Sequence, residues 1–144
     1  MPAKPLISFI VYNHDAEPAI LSQCLDSITQ LSLASADREI IVVDNGDSTA
    51  ALNILLGKDD EITYIHQRYM GVSAAYSMGL RMSTARYVQF VGSHDLLIRA
   101  PYEHCLDIAR YHNPDVVFYK NTDNPDNATT PFTYEGPMQG STYM

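Results

Sequence analysis

Cysteine is scarce in this chain: two residues, Cys24 and Cys105, in 144. Both fall within helical patterns, so no disulfide framework is available, and reduced thiols in a cytoplasmic setting are expected. Basic residues are also few. Nine Lys and Arg against 17 Asp and Glu leave a formal charge of −8. That balance argues against a nucleic-acid groove, which needs clustered cations to meet phosphates, and against a basic membrane-surface helix. No apolar run reaches the length of a membrane span, and the opening Met1-Pro2-Ala3-Lys4-Pro5 lacks the apolar core of a signal peptide. Asn127-Ala128-Thr129 matches a glycosylation sequon, which in a cytoplasmic chain is accidental. After the first apolar run there is neither a glycine-rich dinucleotide turn nor a phosphate-loop lysine; Asn13-His14-Asp15-Ala16 stands there instead.

A 46% hydrophobic content over 144 residues suits one folded domain. Leu6–Tyr12 and Glu39–Val43 are nearly unbroken β-rich apolar runs, the pattern of strands covered on both faces. Ile62–His66, Tyr87–Val91 and Val116–Lys120 complete five predicted strands. Between them lie helical patterns. Pro18 opens the first, whose stripe is Leu21, Cys24, Leu25, Ile28 and Leu31. Ser48 or Thr49 can cap a second that Gly57 ends. Val72–Thr84 and Pro101–His112 are the third and fourth. Strand–helix alternation predicts an α/β fold, an open and mainly parallel sheet with helices on both faces. The domain is expected to span residues 1–120, with 121–144 a loop-rich tail or the start of a further region.

Open α/β sheets bind ligands beyond the carboxyl ends of their strands. There the chain places Tyr12-Asn13-His14-Asp15, Asp44-Asn45-Gly46-Asp47, His66-Gln67-Arg68 and Gly92-Ser93-His94-Asp95. Asp44 can accept an N–H from a base edge, or cap its own turn. Asp95 can ligate Mg²⁺ or Mn²⁺ against diphosphate oxygens, or act as a turn acid before Leu96-Leu97. Gly71-Val72-Ser73-Ala74-Ala75 opens the third helix with small residues, which permit close ligand approach or close helix–sheet packing, at a terminus that favours anions. His14, His66 and His94 could together hold Zn²⁺, or be three separate histidines at strand ends.

These segments, in order, resemble family 2 glycosyltransferases. Pro5–Asn13 is similar to their first strand with its Tyr-Asn end, and Cys24–Ile28 to their first helix. Glu39–Gly46 resembles their second strand and acidic turn. Gly71–Ala75 with Gly79-Leu80 resembles their third helix, and Tyr87–Asp95 the strand bearing their acidic metal motif. The resemblance implies a GT-A fold that binds a nucleotide-diphosphate sugar with a divalent cation, Mn²⁺ or Mg²⁺, for inverting transfer to an acceptor hydroxyl. It implies nucleobase contact by Asp44, a nucleotide site lined by Tyr12, Asn13 and Gly71, ribose contact by His94 and metal ligation by Asp95.

The chain also departs from the family. Gly92-Ser93-His94-Asp95 stands where Asp-Ser-Asp-Asp is common, so one acid remains; Tyr76-Ser77 replaces a common Arg-Asn pair. The family's catalytic base lies beyond the fifth strand, and no residue here, Glu135 included, is assigned that role. The alternative is a GT-A domain that binds a nucleotide or a protein without transferring sugar. A phosphoreceiver domain is excluded, since its acid would end the third strand, where His66-Gln67 stands.

Overall fold

The computed structural model describes residues 4–47, 50–57, 62–68, 71–117 and 119. The chain divides into two compact units at Leu97–Ile98. The first holds β1 (Ile7–Asn13), α1 (Pro18–Thr29), a short 3₁₀ turn (Ser35–Asp37), β2 (Arg38–Asp44), α2 (Ala50–Leu56), β3 (Ile62–His66), α3 (Val72–Met82) and β4 (Tyr87–Gly92). The second holds α4 (Arg99–His112). The predicted caps Ser48 and Thr49 lie outside the described residues, as do Glu135 and the sequon.

Among the described residues, four strands form one wholly parallel sheet in the order β3-β2-β1-β4. β1 and β2 occupy its centre, and their continuous apolar runs are the reason: a strand with neighbours on both edges and helices on both faces has no solvent side. Phe9, Ile10, Val11, Val42 and Val43 are wholly buried. The connections β1–α1–β2 and β2–α2–β3 step one way along the sheet, whereas β3–α3–β4 steps back across it. With right-handed crossovers, α1 and α2 share one face and α3 covers the other.

Side-chain alternation agrees. Ile10, Ile41 and Val43 pack with Ala75 of α3, joined by Tyr12, Ile65, Tyr76 and Val88. The intervening residues Phe9, Val11, Ile40 and Val42 therefore belong to the α1/α2 face. Helix α3 lies close against β1 at Gly79, where an added Cβ would run into the Ile10 side chain. Its end is fastened to the sheet by Glu39, whose Oε1 accepts from Ser8 Oγ at 2.7 Å and Thr84 N at 2.9 Å, and whose Oε2 accepts from Thr84 Oγ1 at 3.2 Å. Arg38 Nη1 donates to Thr29 O at 3.4 Å, meeting a carbonyl left over at the end of α1.

Of the predicted fifth strand, Val116–Lys120, Phe118 and Lys120 lie outside the described residues. Val116, Val117 and Tyr119 pair with no strand among the described residues, and Val116 is 62% exposed. Helix α4 stops at Asn113 in the left-handed conformation, and the chain leaves it through Pro114. Apolar, β-branched composition makes a strand only where a ladder is available to accept its backbone groups. The Tyr119 ring instead meets Tyr102 edge-on, with centroids 6.1 Å apart. No helix among the described residues is long and apolar enough to cross a membrane.

Candidate functional site

Because all four strands are parallel, Asn13, Asp44, His66 and the residues after Gly92 leave the sheet along one edge. Asn13, Asp44 and His66 stand abreast in register. Asp44 is 1% exposed and held by three donors. Its Oδ1 accepts from Asn13 Nδ2 at 3.3 Å and from Gly46 N at 3.0 Å, and its Oδ2 from the Tyr64 hydroxyl at 2.6 Å. Tyr64 sits one strand over and two residues back, on the same α1/α2 face. Burial, with the hydrogen bond to Asp44 and its negative charge behind it, pushes the Tyr64 hydroxyl well above the usual phenol range. Nothing in the sequence singles Tyr64 out. The signal would have been its shared alternation with Asp44, which becomes usable only once the β2–β3 pairing is known.

The histidines hold the turn that follows. A carbonyl only accepts, so His14 donates from Nδ1 to Asn45 O at 3.3 Å, and His66 donates from Nε2 to Gly46 O at 3.0 Å. His94 is exposed after β4. No group of three His, Cys, Asp or Glu side chains that could hold a metal forms among the described residues, so the suggested His14–His66–His94 zinc site is not built. Strand ends spread their side chains across the sheet, and two of these rings are committed to backbone carbonyls.

Four buried polar atoms at this edge have no hydrogen-bond partner among the described residues: Asn13 Oδ1, Asn45 Oδ1 and Nδ2, and Gln67 Oε1. For Asn13 the assignment is chemical, because a carboxylate can only accept, and the amide nitrogen must therefore face Asp44. Asn45 is 1% exposed, so a wholly unpaired carboxamide there costs about 1–3 kcal/mol.

On the α3 face, Tyr12 meets Tyr76 edge-on at 6.0 Å between centroids, and Tyr76 stacks at a tilt on Phe90 at 4.6 Å. Burial first, and then the charge of Asp95, raises the Tyr76 hydroxyl. Tyr76 therefore shares its surroundings with Asp95. Gly71 precedes α3 at φ +89°, a conformation that L side chains rarely adopt, and the space beside it is open.

Beyond β4, Ser93 N–H donates to Tyr12 O at 2.9 Å, extending the ladder past Gly92. Asp95 is exposed; its backbone N–H donates to Gly92 O at 2.9 Å, and its Oδ2 accepts from Gly92 N at 3.0 Å. The turn is tied back to α1. Ser27 Oγ accepts from Leu97 N at 3.1 Å while donating to Cys24 O, and the Cys24 thiol faces Gly92 O at 3.6 Å. Burial, followed by the Asp95 charge, pushes the Cys24 thiol up to about 12. Both cysteines are free thiols.

A parallel sheet in this order, with helices on both faces, is the arrangement of a GT-A fold. The family model for glycosyl transferase family 2 matches residues 8–139, and the chain belongs to that family. An uncharacterized glycosyltransferase of Rickettsia prowazekii is 26% identical over 124 residues, which is 81% of this chain and 36% of that protein. One from Rickettsia conorii is 32% identical over 63 residues, 42% of this chain and 10% of that one. Among solved structures, the mannosyltransferase PcManGT of Pyrobaculum calidifontis, in complex with GDP-Man and Mn²⁺, superposes with a TM-score of 0.64 at 18% identity. The match covers 74% of this chain and 33% of that one. Staphylococcus aureus TarS (1–349) gives 0.68 at 17% identity over 76% and 34%. The chain thus spans about a third, or less, of the proteins it matches.

Proposed function

We propose that this chain binds the donor of a glycosyltransferase, a nucleotide-diphosphate sugar, for inverting transfer to an acceptor hydroxyl. The observation that carries the reading is the strand-end edge at β1 and β2. A buried carboxylate is braced from three sides there, beside a buried carboxamide with no partner among the described residues. Buried polar groups are ordinarily satisfied, and an unsatisfied one at a sheet's carboxyl edge invites a ligand that completes it. The GDP-Man in the PcManGT complex supports a nucleotide-sugar ligand for this fold.

The residues divide the work. Asp44, with both oxygens engaged, holds the turn rigid and acts on the base through its neighbours. Tyr12 and Asn13 line the nucleotide, Gly71 leaves room for the backbone to approach it, and His94 meets the ribose. Asp95 is an exposed carboxylate with Oδ2 held by Gly92 N. A single such acid fits Mg²⁺ or Mn²⁺ when diphosphate and water supply the other ligands. When bound, the cation would neutralise charge on the leaving diphosphate. No residue is assigned as general base for the acceptor.

Calorimetric titration with nucleoside diphosphates, with and without Mn²⁺, tests the reading. Binding should be metal-dependent, because a chain of charge −8 otherwise repels the ligand. Asp95→Ala should abolish that dependence. Absence of binding by every nucleotide refutes it. The reduced acidic motif favours a second reading, nucleotide binding without transfer. Nucleotide binding with no transfer of sugar from the bound donor would select it.

A further inference from the structure

Resting on the donor-binding reading, with Asp95 as its cation ligand, we infer that Ser27 of α1 is a positioning residue for Asp95. It holds the far end of the turn that folds the carboxylate back over Gly92. In a parallel ladder, alternate residues of an edge strand bond the neighbouring strand. Tyr87 N–H donates to Leu6 O at 3.0 Å and Ser93 N–H to Tyr12 O at 2.9 Å. Gly92 is out of phase with both and turns its own N–H and C=O away from β1. Asp95 takes both groups. Its N–H donates to Gly92 O at 2.9 Å, and its Oδ2 accepts from Gly92 N at 3.0 Å. The fold-back suits a glycine, because a Cβ at position 92 would stand 3.0 Å from Asp95 Oδ2.

The other end of the turn, Leu97, is fixed by α1. Leu97 N–H donates to Ser27 Oγ at 3.1 Å, and Leu97 O accepts from Gln30 Nε2 at 3.4 Å. Ser27 has one hydroxyl proton, committed to Cys24 O at 2.6 Å, so towards Leu97 its oxygen can only accept. One helical step of three residues back, the Cys24 thiol reaches Gly92 O at 3.6 Å. One face of α1 therefore grips both ends of the turn. The helix is in turn packed through Leu21, Leu25 and Ile28, all wholly buried. Between the two grips Asp95 is exposed but not free to turn. Its Oδ2 is engaged, and its Oδ1 has no donor among the described residues. Groups that orient a metal-binding side chain act through such hydrogen bonds, and their loss typically weakens the metal contact about 10–100-fold. Removing the Ser27 oxygen leaves the Leu97 N–H unpaired and the carboxylate held through Gly92 alone.

The test is a double-mutant cycle between Ser27→Ala and Asp95→Ala, read by calorimetric titration of the 144-residue chain with GDP and with UDP in Mn²⁺ buffer. Ser27→Ala should weaken nucleotide binding about tenfold in the parent chain. Once Asp95 is already alanine, the same change should cost less than about twofold. A merely structural role for Ser27 would cost the same in both backgrounds, and that result overturns the inference. So does an unchanged affinity in Ser27→Ala. Amide hydrogen exchange of the parent chain tests the grip without any variant. Leu97 N–H should exchange at least about tenfold more slowly than Leu96 N–H, which has no partner among the described residues. Equal rates overturn the inference whether or not Ser27→Ala folds. Each of these outcomes leaves the donor-binding reading intact, whereas failure of both nucleotides to bind the parent chain overturns both.

Discussion

Replacing Asp44 separates a brace from a ligand contact. Its carboxylate accepts from Asn13 Nδ2, Gly46 N and the Tyr64 hydroxyl at 3.3, 3.0 and 2.6 Å. A hydrogen bond to a charged group contributes about 1.5–3 kcal/mol, but the 3.3 Å contact is long and the three share one partner, so they do not add. Asp44→Ala strands all three donors at a site only 1% exposed, and the expected loss is about 3–5 kcal/mol. That is a large share of the ~5–15 kcal/mol of a typical domain. Asp44→Asn is different. Its oxygen can still accept from Asn13 and Gly46, while its amide group can donate to the Tyr64 oxygen if the hydroxyl hydrogen turns away, so the loss falls to about 1–2 kcal/mol. Guanidinium denaturation followed by circular dichroism, with the ten tyrosines as a fluorescence probe in a chain without tryptophan, gives both numbers. Equal losses for the two variants, or a loss below about 0.5 kcal/mol for Asp44→Ala, would show that the carboxylate does not hold the turn.

Gly79→Ala should destabilise by about 1–3 kcal/mol although alanine is the better helix former, because the new methyl overlaps Ile10; a stabilised variant would disprove that close approach. Cys24 titrates near 9.0 when unfolded and at about 12 when folded. Its protonated form therefore favours the folded state: the contribution is intact below pH 9.0 and lost as pH rises towards about 12, at up to about 1.4 kcal/mol per pH unit. Cys24→Ala should flatten the alkaline decline in stability, and parallel pH profiles for variant and parent would exclude the mechanism.

The sheet was legible from sequence where burial on two faces leaves no choice. Continuous runs such as Phe9–Val11 and Ile40–Val43 can satisfy their backbone only inside a parallel sheet, and the observed strands lie within a residue or so of those expected. The third helix was legible because Ala75 and Gly79 are small where a helix must approach β1. Val116–Lys120 carries the same kind of composition and yet is not a strand over its described residues. Composition reports what a segment could do in a ladder, whereas the ladder itself is a property of the whole sheet. The same limit applies at the site. Asp44, Asn13 and Asp95 could be placed on one edge from strand order alone. The contact between Asp44 and Tyr64 depends on the β2–β3 register, which no local pattern encodes.

Register also explains why the neighbouring polar residues of the Asp44-Asn45-Gly46 turn cannot exchange roles. A strand presents successive side chains to opposite faces, so Asp44 and Asn45 meet different surroundings although they are adjacent in the chain. On one face, donors from three segments converge on a group that can only accept, and a carboxylate suits that place. On the other, a group with both a donor and an acceptor finds no partner among the described residues. Shifting the pairing by one residue would put the carboxylate among unpaired acceptors and the carboxamide among donors it could only half satisfy, besides turning Val43 and Ile41 out of the α3 core. The packing that buries the apolar residues of β2 is therefore what fixes which polar residue braces the edge and which is left without a partner among the described residues.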